Sequence, residues 1–385
     1  MLVDAAHLYL KPESPMTVTA TPDPRLLAFH QRLPGYAPTP LVHAPHLAAA
    51  LGVQDAWVKN EVDRLGLPAY KILGASWAVY RELETLYGPF SPWTMLDELA
   101  AQLAPHQPLT LVTATDGNHG RAVARTARWL GLAAHILVPD DMVPARIQAI
   151  EAEGARVDVI HGTYDEAVAA AAQLADEQHL VISDTAWDGY ERVPGWVVEG
   201  YGTIFQEIDQ QLAEQGAQQP DVVAAQMGVG SLAMAVVQHY RAPGRTAQVV
   251  GVEPLRAACV LQSLQAGALT EVPGPHASIM AGLNCGNTSP LAWPYLQGGL
   301  SASLAISDAQ AEEAMRLLAR DGVVSGESGA AGAGGLLALV SGEDASAART
   351  RLGLTPASTV LVISTEGATD PEAYARIVHP GADHA

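Results

Sequence analysis

Six short stretches of this chain hold the residue types that do chemistry. The first is Arg64-Leu65-Gly66-Leu67-Pro68-Ala69-Tyr70-Lys71. Lys71 follows a loop and opens a helix-patterned segment, with Tyr70, Ile72 and Leu73 around it. An apolar setting and a helix N-terminus both disfavour an ammonium ion, so the sequence predicts a lowered pKa and a neutral amine. A neutral amine is what imine formation with a carbonyl compound needs. Lysine usage points the same way. Only Lys11, Lys59 and Lys71 occur, while the other 18 of the 21 bases are arginines. Arginine stays protonated and forms no imine, so a lysine kept in this background is marked by its amine. The plain alternative is a surface lysine that begins a helix.

The second stretch is Thr115-Asp116-Gly117-Asn118-His119-Gly120, at a strand end before a helix. Glycines let a ligand approach the backbone, and helix N-terminal amides attract anions. Such a loop could hold a carboxylate or a phenolic oxygen; otherwise it is a strand-to-helix turn capped by Asp or Asn. The third, Gly228-Val229-Gly230-Ser231-Leu232-Ala233, again joins strand to helix, and its consecutive amides would form a phosphate nest. It also fits G-x-G-x-x-A with Glu253 about 20 residues later, so a dinucleotide reading stays open beside a purely structural turn. The fourth is Asp184-Thr185-Ala186-Trp187-Asp188-Gly189-Tyr190, a carboxylate among aromatics after a strand, suited to proton transfer or to a turn. The fifth is Ser364-Thr365-Glu366-Gly367, whose hydroxyls could meet a heteroaromatic nitrogen. The sixth, Gly326-Glu327-Ser328-Gly329, reads as a helix start. His43 and His46 lack the carboxylate or cysteine spacing of a metal site, and Cys259 and Cys285 read as buried thiols.

The elements that position these residues alternate. Residues 56–70 read as a strand running into a Gly/Pro-containing loop, and further strands are expected at Leu109–Thr115, Ala133–Pro139, Ala155–Gly162, Leu180–Thr185, Asp221–Gly228, Thr246–Pro254 and Ser358–Ser364. Helical patterns lie between and after them, from Lys71 to Gly88, His119 to Gly131, Val143 to Gly154, Tyr164 to Gln178, Ser231 to Arg241 and Arg256 to Gly267, then near 308–320, 329–341 and 344–352. Residues 1–55 read as an arm plus a short helix. Short strands alternating with helices indicate βαβ units and mainly parallel sheets covered on both faces. There are too many strands for one sheet, so two α/β lobes are expected, each a mainly parallel twisted sheet flanked by helices. Residues 1–65 and 186–385 are assigned to a large cofactor-binding domain and 66–185 to a small one. Ligands in such folds sit at the carboxyl ends of strands.

Composition narrows the class. Of the 385 residues, 49% are hydrophobic and 16% charged, which supports a buried core. A net charge of −20 repels phosphate backbones and anionic membranes. Two cysteines are too few for a disulfide-framed secreted fold. MLVDAAHLYLKPES has neither a basic n-region nor a long apolar h-region, so no signal peptide is expected. The uncharged run between Asp221 and Arg241 carries Gln226, Gly228, Gly230 and His239; a strand, a glycine turn and a buried helix fit it better than a membrane span. A cytoplasmic globular protein is expected.

Taken in order, RLGLPAYKILGAS, TATDGNHGRAVA, DTAWDGYERVPGWVVEGYGT, MGVGSLA, GVEPLRAACV, AGLNCGN and ISTEGATDPEAY are similar to the diaminopropionate ammonia-lyase family. These are fold-type II pyridoxal-phosphate enzymes, like the β-subunit of tryptophan synthase. The resemblance runs from about Arg64 to Tyr374. It implies that Lys71 forms an aldimine with the cofactor and that Asn118 contacts its phenolic oxygen. It implies that Gly228, Val229, Gly230 and Ser231 cradle the phosphate, and that Ser364 or Thr365 faces the pyridine nitrogen. Asp116 and Asp184 match the family's acid/base carboxylates. The implied reaction converts D- or L-2,3-diaminopropionate to pyruvate and ammonia through aminoacrylate, in a homodimer. A base takes the Cα proton, the ring stores the electrons, and the β-amine leaves protonated. Relatives that deaminate serine or threonine carry a small hydroxyl residue where Asp116 stands, and a carboxylate there favours a cationic β-ammonium. Pro68 and Ala368 depart from the family pattern. Two other readings are a nicotinamide-dependent oxidoreductase, resting on Gly228–Ala233 and Glu253, and a ligand-binding homologue without turnover.

Overall fold

The computed structural model describes residues 7–12, 16–18, 22–162 and 164–379. Much of the expected N-terminal arm, including residues 1–6 and 13–15, lies outside the described residues. In chain order the strands are β1 His7–Leu10, β2 Leu41–His43, β3 Asp55–Asn60, β4 Thr110–Ala114, β5 Ala133–Pro139, β6 Arg156–Ile160, β7 His179–Val181, β8 Val222–Gln226, β9 Gln248–Pro254, β10 Ala302–Ile306 and β11 Thr359–Ser364. The chain divides into two compact units. The larger holds Met1–Thr21, Pro38–Asp63 and Ile204–Ala385; the smaller holds Pro22–Ala37 and Arg64–Thr203.

The larger unit is built on a seven-stranded sheet in the order β1-β10-β9-β8-β11-β3-β2. The five inner strands run parallel, and only β1 and β2 at the edges are antiparallel. β8, β10 and β11 are buried along their whole length, as parallel strands covered on both faces must be. The helix Glu327–Ser341 lies against this sheet, and its glycines allow that approach. A Cβ on Gly335 would come within 2.4 Å of Val252 Cγ2. β8 ends at Gln226, a glycine turn follows, and the helix Ser231–Tyr240 begins, so the uncharged run is the strand, turn and helix expected. Among the described residues, no helix is long and apolar enough to cross a membrane.

The smaller unit has a four-stranded parallel sheet in the order β6-β5-β4-β7. Besides Arg64 and Leu65 it takes in residues 22–37 and 186–203, and packing explains both of these segments. Phe29 stacks edge-on against Trp77 and Trp93 and tilts against Tyr80, with centroids 4.9–5.9 Å apart. Aromatic pairs of this kind contribute about 0.5–1.5 kcal/mol each beyond area burial, so residues 22–37 join this core. The helix Arg192–Gly200 crosses the helix Lys71–Tyr87 with their backbones touching. A Cβ on Gly74 would meet Val197 O at 2.7 Å, and one on Gly200 would meet Leu73 O at 2.5 Å. Trp77 Nε1 adds a bond to Glu199 Oε2 at 2.7 Å. These contacts put residues 186–203 with the smaller unit and bring Tyr201 beside the first turn after Lys71.

Candidate active site

In the smaller unit, three segments bring Lys71, Asp184 and His119 together. Lys71 is the first residue of its 17-residue helix, and Leu73 N–H bonds back to Tyr70 O. Asp184 stands in the loop beyond β7. The Lys71 ammonium donates to Asp184 Oδ2 at 2.7 Å. His119 Nδ1 lies 3.8 Å from the same oxygen, while its Nε2 bonds Ile182 O at 2.8 Å. The buried His119 ring was quoted in its motif but given no role by sequence reasoning; only its distance to Asp184 singles it out.

The pair corrects the expected state of Lys71. Burial opposes the charge, but the Asp184 carboxylate, with the Tyr201 and Tyr70 phenols near, raises the amine well above its ordinary value. Lys71 is therefore a paired ammonium, not a neutral amine. Burial likewise opposes the charge on Asp184, yet His119 and Lys71 hold its carboxyl down at about 2.

The Thr115–Asn118 loop leaves β4 at its carboxyl end. Thr115 Oγ1, not Asp or Asn, organises the turn by accepting from Gly117 N at 2.9 Å and Gly120 N at 3.0 Å. Gly117 caps the helix Asn118–Leu130 at φ +143°, a conformation side chains rarely adopt. Arg146 Nη1 donates to Asp116 O at 3.1 Å. The Asp116 carboxylate opens to solvent but is ringed by protein. Desolvation and the Asp184 charge raise its proton affinity against the pull of Lys71 and Arg146. So the two carboxylates differ: Asp184 is held ionised and Asp116 is pushed towards protonation. Beyond them, Tyr190 stacks on Trp187 at 4.1 Å and donates to Val181 O at 2.6 Å, which fixes the loop carrying Asp184.

In the larger unit, the Gly228–Ser231 turn leaves the carboxyl end of β8. Gly230 has φ +103°, and a Cβ there would meet Leu296 Cδ1 at 2.6 Å. A Cβ on Gly228 would lie 3.1 Å from Cys285 Sγ and 3.2 Å from Gly282 O. The first amides of the helix Ser231–Tyr240 have no acceptors within the helix. This is a cradle that only glycine leaves open, and its donors suit a phosphate. Ser364 and Thr365 stand at the end of β11, which neighbours β8 in the sheet.

Glu253 removes the dinucleotide reading. It is fully buried, and its two oxygens accept from Val260 N and Leu261 N at 2.8 Å each, at the start of the helix Cys259–Ala266. It caps a helix and has no surface to offer a ribose. Burial pushes its carboxyl up to about 8, against these two donors. A carboxyl raised in the folded state gives stability that is complete below its ordinary value of 4.5 and lost as pH rises through about 8. Thermal unfolding should thus show the melting temperature falling between about pH 4.5 and 8, and Glu253→Gln should flatten that fall. An unchanged slope in the variant would refute this assignment.

The remaining sequence expectations resolve simply. Cys259 is buried, its thiol pushed up to about 12, but Cys285 is only half-buried, beside the glycine turn; neither is in a disulfide. Gly326 does start a helix, Glu327–Ser341. His43 and His46 bond Asp55 and Asp321 separately, and among the described residues no group of three or more His, Cys, Asp and Glu could hold a metal.

Comparison with known proteins agrees with this chemistry. The pattern of the family described as pyridoxal-phosphate dependent enzymes matches residues 32–365. Diaminopropionate ammonia-lyase of Salmonella typhimurium is 37% identical over 369 residues, covering 92% of this chain and 91% of that protein. The Escherichia coli K12 enzyme of the same name is 37% identical over 363 residues, covering 92% and 90%. The crystal structure of the Escherichia coli enzyme with an aminoacrylate-PLP azomethine reaction intermediate superposes with a TM-score of 0.85 at 32% identity, covering 99% of this chain and 98% of that one. Its complex with D-serine gives 0.86 at the same identity, covering 99% of both chains. An amine opening one helix, two unlike carboxylates and a glycine cradle thus occur in a chain that belongs to the pyridoxal-phosphate-dependent enzymes and, among them, to the diaminopropionate ammonia-lyases.

Proposed function

We infer that this chain converts D- and L-2,3-diaminopropionate to pyruvate and ammonia by α,β-elimination, with pyridoxal phosphate as cofactor. The observation that carries the residue assignment is the Lys71–Asp184 pair at 2.7 Å in a loop cluster that also holds Asp116. Lys71 would hold the cofactor's aldehyde, Asn118 its phenolic oxygen, and Gly228, Val229, Gly230 and Ser231 its phosphate. Ser364 or Thr365 would serve the ring nitrogen. Cofactor binding belongs mainly to the larger unit in this reading. When bound, pyridoxal phosphate supplies an electron sink for the pair left when a Cα–H bond breaks.

The chain's own residues handle the protons. While Lys71 keeps its charge beside Asp184, that carboxylate is a weak base. If the Lys71 charge were withdrawn from beside it, burial would be opposed chiefly by His119, and Asp184 would gain proton affinity. Asp116, already raised, can share a proton with the leaving β-amine or take one from the opposite face of Cα. We assign Asp116 to the D-isomer and Asp184 to the L-isomer. The charge of −20 supports a small amino-acid substrate rather than nucleic acid or an anionic membrane. A cytoplasmic homodimer completes the proposal.

The test records the visible spectrum of the purified holoenzyme while D- or L-2,3-diaminopropionate is added and pyruvate is followed. A cofactor band that changes as pyruvate accumulates is expected. A band that responds without pyruvate would replace the substrate by serine, threonine or a β-replacement partner. No band after adding pyridoxal phosphate would overturn the role of Lys71.

A further inference from the structure

Gln226 ends β8 and is buried, with 2% of its surface exposed. Its Nε2 faces four oxygens: Thr365 Oγ1 at 2.8 Å, Ile363 O at 2.9 Å, Gly329 O at 3.1 Å and Ser328 O at 3.2 Å. Three of these are carbonyls, which only accept, so the nitrogen and not the oxygen of the amide must face them. Its Oε1 has no hydrogen-bond partner. A buried acceptor left unmatched costs about 1–3 kcal/mol, so this side chain is not placed for stability alone.

The orientation has a chemical consequence. An amide nitrogen donates and cannot accept, so Thr365 Oγ1 is the acceptor in their bond. The Thr365 hydroxyl hydrogen must therefore point elsewhere. Ser364 is arranged differently: its hydroxyl donates to Ser325 Oγ at 2.8 Å, and Ser325 in turn donates to Gly326 O at 3.4 Å. The Ser364 proton is committed inside the protein. Of the two hydroxyls at the end of β11, only that of Thr365 has a proton to offer.

We propose that Gln226 is a positioning residue that turns the Thr365 hydroxyl into a one-way donor to the ring nitrogen of pyridoxal phosphate, and that Ser364 takes no part in that bond. A neutral donor leaves the ring nitrogen unprotonated and limits the ring's electron withdrawal, which favours quick loss of a β-substituent over transamination. This rests on the cofactor assignment above.

The test reconstitutes the holoenzyme with pyridoxal phosphate carrying ¹⁵N in its ring and reads the ring-nitrogen NMR signal. The wild-type signal is expected at the position of an unprotonated, hydrogen-bonded pyridine. Gln226→Glu supplies an acceptor to Thr365, reverses its hydroxyl and should move the signal to the pyridinium position. Thr365→Val should move it to the free-pyridine position and weaken cofactor binding about tenfold, the effect of one lost hydrogen bond. Ser364→Ala should leave it in place. If Gln226→Glu does not fold, Gln226→Met removes the donor at similar length and should also shift the signal. A pyridinium signal in the wild type, no shift in the Gln226 variant that folds, or a shift with Ser364→Ala but not with Thr365→Val would overturn the proposal. Failure of the cofactor assignment would look different: the wild-type protein would bind no labelled cofactor.

Discussion

Lys71→Ala is expected to abolish the visible cofactor band of the reconstituted protein and to lower kcat on either isomer by at least about 10³-fold. Lys11 donates to the carbonyls of Gln297 and Gly298, and Lys59 is buried against Glu207 at 2.7 Å. Neither amine can take over. Lys71→Arg keeps the charge beside Asp184 but cannot form an imine, so it separates the two roles of this residue. The fold should tolerate it, and turnover should be lost as fully as in the alanine variant. Measured absorbance and single-turnover pyruvate release decide the matter. A band or turnover retained in Lys71→Arg would mean that another amine carries the cofactor.

Asp116→Asn and Asp184→Asn should damage opposite isomers. A positioned base contributes about 10²- to 10⁴-fold, so each variant should lose that factor on one isomer and little on the other. The expected pattern is loss on the D-isomer for Asp116→Asn and on the L-isomer for Asp184→Asn, read as kcat/KM. The Asp184 variant carries a second signature. Without that carboxylate, burial dominates at Lys71 and its amine titrates lower. The pH at which the cofactor binds should fall with it, whereas Asp116→Asn should leave that pH nearly unchanged. Equal losses on both isomers would sink the division of labour.

What could be read from the chain followed the strength of local signals. β3–β9 and β11 are apolar runs between turn residues, and each was expected close to where it lies. β1 and β2 are short antiparallel edge strands, and β10 is built largely from Ala, Ser and Leu with little β-branching; the partner of β1, β10, lies far along the chain. The helix Gly202–Glu214 carries a readable period, with Ile204, Phe205, Ile208 and Leu212 buried. The helix Arg192–Gly200 contains Pro194 and Gly195, so propensity opposed it and contact with Gly74 decided it. In the site, motifs located the candidate residues but not their electrostatics. Asp184 lies 113 residues beyond Lys71, and nothing local to either reveals the ion pair that reverses the expected state of the amine. The same holds for Glu253, whose spacing mimicked a ribose ligand until its helix contacts were visible.

The last strand of the larger sheet has a bearing on how the protein is made. β11 lies between β8 and β3, with Ser364 opposite Asn60 and Val362 opposite both Ala224 and Val58. A ribosome that has released residues 22–203 has released the whole four-stranded unit, with its Lys71 and both carboxylates. β3 meanwhile waits with one edge open, because its parallel partner emerges only after β4 to β10. Domains fold as units while the chain emerges, and an unpaired strand edge invites association with other chains. Completion of the sheet thus waits for β11 to emerge. A chain that stops short of β11 lacks Ser364 and Thr365 and cannot join β3 to β8.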